Sequence, residues 1–122
     1  MPTAKDSLKE RLARYRQLTI SVTGRKSGRV ISTPVWFVLE GSDILYLLPV
    51  QGSDSQWFKN VVQNPKIRIS ARGKKKTFQA TPVTDPRVVK HVIQVFCEKY
   101  GAEDVKKYYS KFDVAVRIDL SR

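Results

Sequence analysis

Two alternating runs on either side of one short polar turn decide most of what this chain can fold into. Leu18, Ile20 and Val22 alternate with polar residues over 17–24, and a β-rich run from Val30 to Leu39 follows. Between them lies Gly24-Arg25-Lys26-Ser27-Gly28-Arg29. Alternation at period two marks a strand. The two glycines let the backbone turn tightly, because Gly tolerates positive φ. The stretch therefore predicts a β-hairpin with strands at 17–24 and 29–39. Its tip carries Arg25, Lys26 and Arg29 beside the Ser27 hydroxyl, donors that suit an oxyanion such as phosphate. A solvated basic turn is the plain alternative. The spacing is not that of a Walker A loop, which opens a helix with Gly-Lys-Ser/Thr after four intervening residues.

Downstream the chain keeps returning to strand. Pro34 cannot donate to a ladder, so it marks an edge, a bulge or an interruption. Its run is apolar on both faces, with Val35, Phe37 and Leu39 opposed to Trp36 and Val38. One face is expected in the core and the other against a helix, a partner subunit or a flat ligand. Gly41-Ser42-Asp43 turns the chain into a third strand at 44–50. Gln51 to Ser55 is a loop of turn formers, in which Ser53, Asp54 or Ser55 caps a helix at 55–63. Trp57, Phe58, Val61 and Val62 are expected on that helix's apolar face, with Trp57 and Phe58 as core anchors, and Asn64-Pro65 ends it.

Ile67, Ile69 and Ala71 alternate with Lys66, Arg68, Ser70 and Arg72 in a fourth strand. Gly73-Lys74-Lys75 turns it back into a fifth at 76–84. Asp85-Pro86 reads as cap and first residue of a helix striped by Val88, Val89, Val92, Ile93, Phe96 and Tyr100. Gly101 breaks it, a shorter helix runs over 102–111, and Val114, Val116, Ile118 and Leu120 make a last strand over 113–120. Leu8, Leu12 and Tyr15 put a further helix at 6–16. Six strands, mostly in hairpin order, predict one α+β domain over 1–122, mainly β: an antiparallel sheet or barrel with helices packed around it. A doubly wound fold is disfavoured, since no GxGxxG follows a strand and helices do not regularly separate the strands.

Charge narrows the partners. The chain has 23 Lys+Arg against 11 Asp+Glu, a net +12, and such a surface attracts polyanions. Cys97 is the single cysteine and His91 the single histidine, which excludes an internal disulfide and argues against a Cys- or His-built metal site. No apolar run approaches the roughly 20 residues of a membrane span, and the charged start does not read as a signal peptide. The expectation is a cytoplasmic protein that binds no metal.

The order TGRKSGR…STPVWFV, a strand, a Gly/Ser loop and then QWFKNVVQNP before another strand resembles the deazaflavin-dependent nitroreductases and their relatives. That family sits in the split β-barrel flavin-binding superfamily with the pyridoxamine-phosphate-oxidase-like proteins. The resemblance covers residues 18–84, and Trp57, Asn60, Asn64 and Pro65 add to it. It implies a six-stranded antiparallel split β-barrel, FMN-binding-like. Such a barrel binds coenzyme F-420 or FMN in a groove and transfers a hydride to or from a small organic substrate. On the same grounds Arg25, Lys26, Ser27, Gly28 and Arg29 match the motif holding the cofactor's phosphate or acidic tail. Pro34, Val35 and Trp36 match the strand beside the ring. Gln51, Gly52 and Ser53 match the loop that closes over it, with Gln51 where relatives often carry a lysine. The C-terminus reads Phe112 to Ile118 in place of the Arg-x-Ile-Pro-like strand usual in the nitroreductase branch. A homodimer is implied too, and no catalytic residue is.

Hydride transfer by a flavin or deazaflavin asks the protein chiefly to bind, orient and tune, which fits a chain with almost no nucleophile or general-base constellation. Matching a phosphate and a glutamate tail suits Arg forks and Lys point charges. The second basic turn, Arg72 to Lys76, reads equally as a solvated face. Trp36 suits packing or ring contact, and Tyr108 and Tyr109 a substrate mouth or simple packing. His91 is expected at the surface or a boundary and Cys97 half-buried. The rival reading is a non-catalytic basic module for a cofactor or another polyanion such as nucleic acid. Nucleic acid is disfavoured because neither basic turn contains the aromatics that such surfaces interleave with their cations. A carrier that binds the cofactor without turnover is a third reading.

Overall fold

The computed structural model describes residues 17–121, apart from Ser42 and Arg72. The helix expected at 6–16 therefore lies outside the described residues. Strands β1 (Gln17–Thr23) and β2 (Val30–Glu40) form the expected hairpin, followed by β3 (Ile44–Leu47), helix α1 (Gln56–Gln63), β4 (Lys66–Ala71) and β5 (Lys74–Val83). Helices α2 (Pro86–Tyr100) and α3 (Ala102–Tyr108) then lead to β6 (Ala115–Asp119). All six strands pair antiparallel and close a barrel in the order β1-β2-β3-β6-β5-β4.

Two long strands make the closure. The first half of β2 pairs with β1, ending at Gln17↔Trp36, and the second half pairs with β3 from Phe37↔Leu47 onward. In the same way β5 pairs with β4 up to Gln79 and with β6 from Ala80. Pro34 lies in the half of β2 that has β1 alone as strand neighbour, opposite Thr19, so its missing N–H fits an edge.

Residues facing inward, including Ile20, Phe37, Leu45, Leu47, Ile67, Ile69 and Ile118, fill the barrel and are fully buried. Trp57 and Phe58 of α1 join this core, as their spacing predicts. Val62 does not: it is 53% exposed. Three positions of α1, Trp57, Phe58 and Val61, already fill the buried stripe, and Val62 lies about 140° round the helix from Trp57. A second core forms outside the barrel, where Val38, Tyr46 and Leu48 meet Val89, Val92, Phe96 and Tyr100 of α2. It explains why β2 is apolar on both faces near Trp36 and Val38.

Other expectations shift at element ends. Ser55 takes the N-cap position of α1, but its hydroxyl makes no capping bond and instead accepts from the Gln51 amide at 2.8 Å. Asp85 caps α2 as expected, accepting from Arg87 N at 2.9 Å with Pro86 next in line. The third strand stops at Leu47 and α3 at Tyr108, each short of the expected end.

The partner change in β2 leaves the Phe37 peptide without a strand on one side, and Tyr100 fills the gap. Its hydroxyl accepts from Phe37 N at 3.0 Å and donates to Phe37 O at 2.7 Å, while Lys99 Nζ donates to the same carbonyl at 2.8 Å. Tyr100→Phe keeps the ring and removes both hydroxyl bonds. It should destabilise the fold by about 1–3 kcal/mol, the cost of unpaired buried polar groups, read as a lower midpoint in urea unfolding with an unchanged slope.

Candidate functional site

A groove of about 290 Å³ opens where the first half of β2 has no second strand beside it. Ile31, Thr33, Pro34 and Val35 of β2 form one wall. Val50, Gln51 and Ser55 of the following loop, Gln56, Trp57 and Asn60 of α1, and Tyr108 at the end of α3 complete it. None of these side chains carries a full charge. The walls are apolar, with amide and hydroxyl groups at a few points, the usual make-up of a small-molecule site.

The hairpin tip lies at the end of the same β2 wall. Gly24 N donates to Arg29 O at 2.7 Å and Gly28 N to Gly24 O at 2.9 Å. Gly28 takes φ +73°, a left-handed conformation that favours glycine. Ser27 Oγ accepts from Arg29 N at 3.2 Å, which stiffens the turn. Lys26 and Arg29 point their charges into solvent, and neither side chain has a partner among the described residues. Arg25 behaves differently. Its backbone N and its Nη1 both donate to Asn60 Oδ1, at 3.1 and 2.8 Å, and its Nη2 donates to Gln56 Oε1 at 2.9 Å. It pins the tip to α1.

The loop and the tail behind the groove are joined as one piece. Asp113 accepts from Ser53 N at 2.8 Å and from the Ser53 hydroxyl. Lys111 donates to Asp54 at 3.1 Å, and Ser110 N to Val50 O at 2.8 Å. Gly52 is buried in this join at φ +55°, and a Cβ there would collide with Asp113 Oδ1. Desolvation pushes the Asp113 carboxyl upward, but the two bonds from Ser53 and the nearby Lys111 outweigh it and hold it below its ordinary value.

The sequence-derived site residues thus divide by position. Pro34, Val35 and Gln51 line the groove. Lys26, Ser27, Gly28 and Arg29 form the exposed tip, whereas Arg25 is turned to α1 and Gly52 and Ser53 to the tail. Trp36 is not a lining residue: its ring stacks on Tyr100 at 4.3 Å and lies 4.6 Å from Tyr108. Tyr108 and Tyr109 take separate roles. Tyr108 is 43% exposed and lines the groove; Tyr109 is buried. Burial first, then the neighbouring Tyr108 and Tyr100, raises the Tyr109 phenol above its usual range. His91 is exposed and bonds Glu40 at 2.8 Å, and Cys97 is half-buried in the second core.

Asn60 and Asp113 have site roles that residue-level reading did not assign. Asn60 carried a signal, a polar residue within an apolar helix face; Asp113 carried none, since its partner Ser53 is 60 positions away.

The profile of the F420H(2)-dependent quinone reductase family matches residues 3–120. The chain belongs to that family. It is accordingly a deazaflavin-dependent oxidoreductase. Among solved structures, an F420-H2 dependent reductase (FDR-A) is 18% identical with a TM-score of 0.64, over 85% of this chain and 94% of its own. A structure described as a domain-swapped dimer is also 18% identical, with a TM-score of 0.66 over 85% and 80% of the two chains. The heme storage protein HutZ of Vibrio cholerae is 19% identical, with a TM-score of 0.67 over 94% and 88%. At these identities the family member shares their fold. No curated protein matches by sequence. No helix among the described residues is long and apolar enough to cross a membrane.

Asp113→Asn tests the join behind the groove. It should make the Ser53 amide exchange with solvent roughly three- to tenfold faster at neutral pH, a partly exposed charge-assisted bond being lost. The folded carboxyl titrates below its unfolded value of about 3.9. Its contribution is therefore full above that value and disappears as pH falls through the lowered one. Thermal melts of wild type and variant should differ at pH 7 and converge in acid.

Proposed function

We propose that the protein binds coenzyme F-420 with its ring in the groove and its anionic end on the hairpin tip, and reduces a small organic acceptor of the quinone class. The observation that carries this reading is the continuity of an uncharged groove with an exposed cationic tip on one hairpin. The groove's 290 Å³ lies at the small end of the roughly 300–1,000 Å³ of ligand pockets. That suits a ring system and leaves the phosphate and tail outside, where Lys26 and Arg29 have no partners among the described residues. The 23-residue stretch from Gln17 to Leu39 contains no carboxylate that would repel them.

When bound, the reduced deazaflavin supplies a hydride. The chain's own part is to hold and orient. Ile31, Pro34 and Val35 offer apolar lining, with buried Trp57 on the inner side and the exposed Gln51 and Tyr108 on the outer side. The acceptor enters past Tyr108, whose ring is backed by Trp36. A quinone acceptor would need one proton besides that hydride to leave as the hydroquinone, and solvent at the groove mouth would supply it.

F-420 is favoured over FMN by the family to which the chain belongs. We also read the protein as a homodimer, a reading supported by the resemblance and by the domain-swapped neighbour. Heme is not favoured: the single histidine, His91, is bonded to Glu40 and does not line the groove.

Lys26→Ala and Arg29→Ala should each weaken F-420 binding about ten- to a hundredfold without changing the melting temperature, one charge-assisted contact contributing about 1.5–3 kcal/mol. Affinity should fall with added salt. A fluorescence titration with F-420 and with FMN decides it. Equal affinity in both variants moves the anion elsewhere, tighter FMN binding moves the protein to a flavin reading, and absence of binding by either removes the cofactor reading.

A further inference from the structure

We propose that the outer face of the sheet carries a second oxyanion site, in which Arg68 and Lys66 hold a phosphate group over the hydroxyls of Ser21 and Thr77. This site is separate from the groove and does not depend on the cofactor reading.

Alternation along β2 keeps the two places apart. Ile31, Thr33 and Val35 line the groove, whereas Ser32 between them points to the other side of the strand. Strand register carries that side across the sheet. Ser32 lies opposite Ser21, Ser21 opposite Arg68, and Arg68 opposite Thr77. A depression of about 170 Å³ opens on this row, and its lining includes Ser21, Thr23, Lys66, Arg68 and Thr77.

The charges there are uncompensated. Lys66 and Arg68 stand two residues apart on one face of β4, about 7 Å along the strand. Both are exposed, and neither pairs with a carboxylate among the described residues. Lys75, opposite Ser70 in the next row, brings a third cation to the same face. Like charges so placed repel one another, and no Asp or Glu occurs in 55–84 to relieve them. The serines add an unused donor. Their hydroxyls share one bond, Oγ to Oγ at 2.9 Å. Two hydroxyls bring two protons and that bond uses one, so one O–H is left over whichever serine donates. Ser21 is only 7% exposed, and neither hydroxyl makes another bond among the described residues.

Phosphate suits this donor set better than carboxylate does. The Arg68 fork takes two oxygens side by side, while Lys66 and the hydroxyls of Ser21 and Thr77 approach from other positions. A carboxylate has its oxygens in one plane, whereas a phosphate group presents them in three dimensions. No aromatic side chain lines the depression, so the recognised element is the phosphate and not a stacked base. Two copies of the chain meeting symmetrically at this face would bring its cations together, which favours an anion there over a second subunit.

Inorganic phosphate and pyrophosphate are the probes, titrated into the ¹⁵N-labelled full chain at an ionic strength held constant with chloride. The amide signals of Ser21, Arg68 and Thr77 and the Arg68 Nε signal should move together and saturate. Arg68→Gln should weaken pyrophosphate binding at this site about three- to tenfold, one partly exposed charge-assisted contact being lost. It should melt like the wild type and keep wild-type F-420 affinity. Sedimentation with vesicles of phosphatidylcholine and phosphatidylglycerol separates the sources of the phosphate. Capture of the wild type and not of Arg68→Gln identifies a lipid headgroup, and no capture identifies a soluble phosphate compound. Unmoved signals, shifts that chloride alone reproduces (an adventitious ion only), or wild-type pyrophosphate affinity in Arg68→Gln would overturn the site. A loss of F-420 affinity in Arg68→Gln would overturn it too, by making these cations part of the cofactor's own site. Absence of F-420 binding by the wild type removes the cofactor reading alone, because the phosphate titration decides this site by itself.

Discussion

The hydroxyl of Tyr100 holds the point at which β2 leaves one partner strand for another. A strand that changes neighbours must expose backbone at the junction, and here the Phe37 N–H and C=O would be stranded inside the protein. Tyr100 takes both, with Lys99 adding a third bond. The stacking of the same tyrosine ring on Trp36 at 4.3 Å ties the outer face of β2 to α2. The open first half of β2 is the consequence, and the groove stands along it. The junction between the two partner strands of β2 is therefore satisfied from outside the sheet, by the last residue of a helix.

Around that opening, polar side chains are spent on fixing walls. Arg25 locks the hairpin tip to α1, and Asp113 with Lys111 locks the loop at Gly52–Asp54 to the tail that carries Tyr108. These contacts join segments that no strand ladder connects, the loop and the tail sharing one isolated parallel bridge at Gln51 and Lys111. The groove itself is left without charge. This is the environment in which a cofactor does the chemistry and the protein supplies binding and orientation, consistent with membership of the F420H(2)-dependent quinone reductase family.

The positive charge is likewise unevenly spread. No Asp or Glu occurs in 17–39 or in 55–84, stretches that hold the hairpin, α1, β4 and β5. Such a surface is repulsive in itself, and a bound anion relieves the repulsion. The exposed cations of the hairpin tip contribute little to the fold, and under the proposed function they are the ones that meet an anion.

Local pattern was enough for much of this. Period-two alternation named the strands, Asp85-Pro86 named the start of α2, and two glycines around a basic turn named the hairpin, because each depends on residues a few positions apart. The split barrel and the cofactor class came from the order of motifs over 18–84, a resemblance that periodicity alone could not supply. What only the tertiary structure decided involves partners far apart in the chain. Arg25 meets Asn60 across 35 positions, Ser53 meets Asp113 across 60, and Phe37 meets Tyr100 across 63. Sequence could group Arg25 with Lys26 and Arg29 by charge, but whether a guanidinium faces solvent or a buried amide depends on which helix packs beside it. The same reason separates Tyr108 from Tyr109 and exposes Val62: adjacent residues on a helix point in different directions, and the packing of the barrel chooses which direction is inside.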